Sequence, residues 1–161
     1  MNNKMLTILR YAVVAVIIAT AISESNAQEG VSRSLEGVWE VMKTPRNCTT
    51  GEPVGAAFEA LVTFHRDGKL TSSASNLNPL SFHGLWQREL GWSDYSFRQK
   101  RFIRNPDQSF AGKQEVGGTV TLSESGDEFT SDEVMILFSI DGVPGPPFCL
   151  TSVGTRFKLE P

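Results

Sequence analysis

The sequence predicts an all-β protein, a single antiparallel up-and-down barrel of about eight strands behind an N-terminal export signal. Three observations predict it. Apolar and polar residues alternate in short runs, with no stripe at the helical spacing i, i+3, i+4, i+7 anywhere in residues 28–161. Turn chemistry of Gly, Pro, Asn and Asp separates the runs at hairpin distances. Two cysteines stand at telling places, Cys48 after the first run and Cys149 at the start of the last.

Residues 1–27 read as a signal peptide. Lys4 and Arg10 precede an apolar core of 12 residues, 11–22, and Ser25-Asn26-Ala27 offers small residues at a cleavage site. That core is shorter than the roughly 20 apolar residues a membrane span needs. Residues 28–161 then form one domain. Removing residues 1–27 takes away Lys4, Arg10 and Glu24 and leaves a net charge of −4. A mildly acidic chain without a basic block argues against nucleic acid as a partner. Export to the periplasm or the outside follows, with no stable membrane insertion once the signal is removed.

The first run, 35–43, places Leu35, Gly37, Trp39 and Val41 on one face, and Pro45 is expected to end it. In 58–66, Phe58, Ala60, Val62 and Phe64 share the apolar face and His65 points away. Asp67-Gly68 is a two-residue hairpin signal, 70–75 returns, and 76–81 is a loop with Pro79. Runs 82–90 and 95–104 follow, closed by Asn105-Pro106. In 113–124, Val116, Val120 and Leu122 are buried, whereas 128–140 is apolar at Val134, Ile136, Phe138 and Ile140. The last run is 148–159.

With an even number of strands in a closed meander, the first and last are antiparallel neighbours. Cys48 and Cys149 then meet across the seam, and an even pair in an exported chain reads as a disulfide. Closing a loop of about 100 residues stabilises by roughly 4 to 5 kcal/mol in the chain-entropy model. Antiparallel pairing keeps the sum of partner numbers constant. Trp39 with Arg156 differs from Cys48 with Cys149 by only two in that sum, so Arg156 should lie close to Trp39. Arg156 has the opposite parity to Val153 and Phe157, which predicts a strand end or bulge near Gly154.

Inward aromatic residues would be Trp39, Phe58, Phe64, Trp86 and Phe97, with Arg88, Tyr95 and Gln99 at the same parity. They either fill the interior or wall a pocket for one small hydrophobic ligand. His83 is placed at a strand start where it could line the mouth, and no third ligand completes a metal site with His65. No cofactor is indicated. Arg98, Lys100 and Arg104 share a face with Phe102; such a face is either simply solvated or meets anionic lipid headgroups or polysaccharide.

Gly37-Val38-Trp39 together with the late Arg156 resembles the lipocalin and wider calycin group. Those barrels open on a Gly-x-Trp strand and pack an arginine over the tryptophan at their closed end. A second Gly-x-Trp, Gly84-Leu85-Trp86, departs from that pattern. The resemblance implies an exported, non-catalytic protein that holds a small apolar or amphipathic molecule inside the barrel. An isomerase or cyclase on the same scaffold, and an interaction module with a filled core, stand as the other readings.

Overall fold

A computed structural model describes residues 33–76 and 81–159. The signal-peptide reading of residues 1–27, and Pro79 in the third connection, lie outside the described residues. Eight strands follow in order: β1 (Gly37–Arg46), β2 (Phe58–Phe64), β3 (Lys69–Ala74), β4 (Phe82–Arg88), β5 (Asp94–Arg104), β6 (Phe110–Leu122), β7 (Glu128–Phe138) and β8 (Phe148–Arg156). Each pairs antiparallel with the next, and β8 pairs with β1, so the sheet closes into a barrel. Closure removes the open edges that a flat eight-stranded meander would expose.

Period-two alternation decides which side chains fill the barrel. Trp39, Val41 and Lys43 of β1 point in, as do Ala60, Val62 and Phe64 of β2. Leu70, Phe82, Tyr95, Val116, Val120, Leu122 and Phe129 continue the core around the barrel. The Asp67-Gly68 hairpin forms as its sequence predicts. Gly68 takes φ 79° and donates its N–H to the His65 carbonyl at 3.0 Å.

Pro45 does not end β1. It pairs with Leu150 of β8, and pairing runs on to Arg46 opposite Cys149. By then β2 has left the other side, since the β1–β2 ladder stops at Lys43 opposite Phe58. The Pro45 carbonyl on that side accepts from Val54 N at 3.0 Å, so the missing proline N–H costs no ladder bond there.

β7 faces the other way from its apolar pattern. Phe129, Ser131 and Glu133 are buried inside, while Val134 stands on the outer wall. The reason is register: β8 places Ser152 opposite both Ser131 and Lys43, so the odd-numbered residues of β7 share the inward face with Lys43 and the apolar even-numbered ones are left outside. On β8 the inward set is the even-numbered one. Leu150, Ser152 and Gly154 point in, Val153 points out, and Arg156 stays in register with no bulge.

Candidate functional site

The two ends of the barrel differ. The closed end is a packed aromatic plug with Arg156 beneath it. Trp39 is fully buried and donates Nε1–H to the Leu35 carbonyl at 2.9 Å. The Arg156 guanidinium lies 4.3 Å from the Trp39 ring centroid. It also donates to the carbonyls of Ser34 (2.8 Å), Glu36 (2.7 Å) and Gly126 (2.7 Å). Burial lowers the Arg156 pKa, opposed by the Asp127 carboxylate nearby.

The backbone makes room for this contact. Gly37 has φ 127°, and a Cβ there would stand 2.8 Å from Arg156 Nη1. At Gly154 a Cβ would overlap the Phe129 ring, which itself packs edge-on against Trp39 at 4.9 Å. The Gly-x-Trp opening and the Gly-Thr-Arg ending are therefore two halves of one packing arrangement.

Of the ligand-binding candidates, Trp39, Phe64, Trp86, Arg88 and Tyr95 gather at this closed end. Phe64 and Trp86 are 5.8 Å apart, Trp86 and Tyr95 5.6 Å. Arg88 donates to the Tyr95 hydroxyl at 2.8 Å and lies over its ring. Phe97 sits at mid-barrel, Gln99 in the layer above it, and Phe58 near the open end. Gln99 is buried and accepts from Ser72 Oγ at 2.7 Å. The candidates thus divide between an aromatic plug, a middle layer and the mouth.

Sequence reasoning missed the most unusual feature inside. Lys43 Nζ lies 2.5 and 2.6 Å from the two carboxylate oxygens of Glu133, with side chains only 10% and 2% exposed. Ser152 Oγ donates to the same carboxylate at 2.6 Å and Ser131 Oγ at 2.9 Å. Nearer the mouth, Arg101 donates to Gln114 at 2.7 Å. Among the described residues no buried side-chain polar atom lacks a hydrogen-bond partner. Lys43 was legible by parity with Trp39 and Val41; Glu133 was not, because the apolar pattern of its strand assigns the opposite face.

Within the barrel the described residues leave little space. One void of about 10 Å³ touches Val62, Phe97 and Glu133. Another of about 40 Å³ lies under the mouth among Phe58, Phe82, Met135 and Leu150, floored by Lys43, Gln99, Gln114 and Glu133. A volume of that size holds a few waters.

Cys48 and Cys149 are bonded, with Cα atoms 5.1 Å apart, two residues beyond Arg46 on the seam. His65 is exposed and contacts Thr71 Oγ1 at 3.3 Å. His83 also points outward, opposite Lys100, and does not line the mouth, because Phe82 and Trp86 take the inward parity of β4. Among the described residues no group of three His, Cys, Asp or Glu side chains could hold a metal ion. Arg98, Lys100, Phe102 and Arg104 lie on the outer face of β5.

Fold and closed end together define a class: a disulfide-stapled, eight-stranded up-and-down β-barrel, consistent with a lipocalin-like architecture. Comparison with known proteins finds no family model and no curated protein that matches this chain.

Proposed function

We propose that this chain is an exported, non-catalytic binding protein in which the barrel is a filled scaffold and the outer surface meets the partner. One observation carries the reading. The voids inside, about 10 and 40 Å³, are far below the roughly 300 Å³ at which pockets for drug-sized ligands begin. The interior charges support it too, because Lys43 and Glu133 are engaged with each other and with two serines. The Cys48–Cys149 bridge supports export, since such bonds persist in oxidising compartments such as the periplasm or the extracellular space.

A specific observation favours a second reading. The 40 Å³ void lies under an apolar rim of Phe58, Phe82, Met135 and Leu150 and over an amide floor of Gln99 and Gln114. A small amphipathic guest could set its polar end on that floor after displacing rim side chains. An isomerase or cyclase would use the same place.

Native mass spectrometry of protein purified from its own host separates these. The filled scaffold carries no cargo, and Ala74→Leu, which fills the void from β3, changes nothing. A co-purifying small molecule that Ala74→Leu expels would overturn the surface reading in favour of the internal guest.

A further inference from the structure

The outer wall of β5, β6 and β7 carries a pattern that the filled interior does not explain. The register sets three rows across it. Phe102 lies opposite Lys113, which lies opposite Phe138; Lys100, Glu115 and Ile136 form the next row; Arg98, Gly117 and Val134 form the third. Arg98 and Lys100 on β5 therefore share this wall with Val134, Ile136 and Phe138 on β7, across the β6 column of Gly117, Glu115 and Lys113. Lys113 Nζ lies 4.4 Å from the Phe138 ring centroid.

The top of this wall extends beyond the barrel. The β4–β5 ladder stops at Lys100 and the β6–β7 ladder begins at Lys113. Among the described residues, β5 beyond Lys100 therefore pairs only with β6, and β6 before Lys113 pairs only with β5. This tip presents Phe102 and Phe110, 61% and 41% exposed, with rings 5.9 Å apart, and Arg104 beside them. The hairpin is held stiff by Arg104 donating to the Gln108 carbonyl at 2.8 Å and Asn105 donating to Ser109 Oγ at 2.9 Å.

Resting on the reading that the outer surface meets the partner, we infer that this wall docks on an anionic lipid surface, with Phe102 and Phe110 entering the headgroup layer and Arg98, Lys100 and Arg104 facing the lipid phosphates. Charge complementarity carries the choice. These basic groups stand together in a chain of net charge −3, and a neighbouring carboxylate is partly neutralised, since Glu115 accepts from Lys113 at 3.0 Å and lies 3.7 Å from Lys100. Exposed phenylalanines beside basic residues suit an interface that is apolar below and anionic above. A soluble polyanion would use the charges and leave the two rings in water.

Flotation of the purified chain with phosphatidylcholine vesicles, with and without phosphatidylglycerol, tests this. Binding is expected only with phosphatidylglycerol and should weaken as salt is raised. The pair Lys100→Glu and Arg104→Glu should reduce it at least roughly 25-fold, taking about fivefold for each basic residue near the surface. The pair Phe102→Ser and Phe110→Ser should abolish flotation, while Leu90→Ser at the opposite end leaves it intact. Circular dichroism of each variant confirms folding, and the salt series on the unaltered chain stands as a second measure if one fails to fold. Equal binding to neutral vesicles, phosphatidylglycerol binding unaffected by both pairs, or binding to dextran sulfate without flotation would overturn the lipid assignment. Each of those results would leave the filled-scaffold reading to its own test, because cargo in the native mass is independent of vesicle binding.

Discussion

Lys43 and Glu133, ninety residues apart in the chain, close a two-point ion pair inside the barrel at 2.5 and 2.6 Å. They stand on β1 and β7, which never pair with each other. β8 lies between them and contributes Ser152, which is opposite Lys43 on one side and opposite Ser131 on the other. The pair thus ties three strands across the barrel seam.

Breaking this pair from one side should be severe. Lys43→Met or Glu133→Leu alone leaves a buried charge without its partner, which costs about 3 to 5 kcal/mol. The double variant removes both charges and should recover most of that loss. Urea unfolding of the two singles and the double measures the coupling. Additive losses would mean that the charges act separately.

Arg156→Ala should destabilise by at least about 2 kcal/mol, because the guanidinium satisfies three carbonyls as well as covering Trp39. Arg156→Lys should recover only a small part, since one ammonium cannot span the Ser34, Glu36 and Gly126 carbonyls at once. Denaturant midpoints of both variants check this. Equal stability for lysine and arginine would show that charge alone suffices.

Replacing Cys48 and Cys149 by serine should cost roughly 4 to 5 kcal/mol in the chain-entropy model, given a sequence separation of 101. Non-reducing intact mass should lie about 2 Da below the reduced value, the two hydrogens lost on bonding. The barrel should survive at lower stability, because the β1–β8 ladder runs from Trp39 to Arg46 without the bridge. Loss of near-ultraviolet circular dichroism in the double serine variant at room temperature would contradict that.

The tip of the β5–β6 hairpin should loosen in acid. Asp107 accepts from Ser109 Oγ at 2.6 Å and Ser109 N at 2.9 Å, which holds its carboxyl below the ordinary value of 3.8. A depressed folded pKa adds stability that is fully present above the unfolded value and lost as pH falls through the folded one. The turn should therefore be intact at neutral pH and fray only below about pH 4. The Ser109 amide shift, followed by NMR from pH 7 downward, should titrate with Asp107; a midpoint at or above the ordinary aspartate value would contradict the assignment.

Much of the barrel was legible because it rests on local rules. Alternation locates all eight strands, and Asp67-Gly68 marks its hairpin. The two cysteines and the even strand count together predict the seam. The Trp39–Arg156 contact follows from one register sum, and the structure pairs these residues directly. Errors arose where one strand's pattern conflicts with its neighbours. On β7 an apolar outer face masks an inward Ser131 and Glu133. On β1, Pro45 looks like a terminator until β8 is seen to carry the pairing past it.

By itself, the sequence determined the class of fold, the covalent staple and the closed end, since period-two patterning, turn chemistry and chain order need no knowledge of distant contacts. Only the tertiary structure decided which face of β7 turns inward, that a lysine and a glutamate meet inside, and how little room the described side chains leave. Those outcomes depend on register summed around a closed ring. A shift of one residue in any ladder exchanges inside for outside, and a hydrophobicity pattern cannot foresee which polar groups closure will bring together.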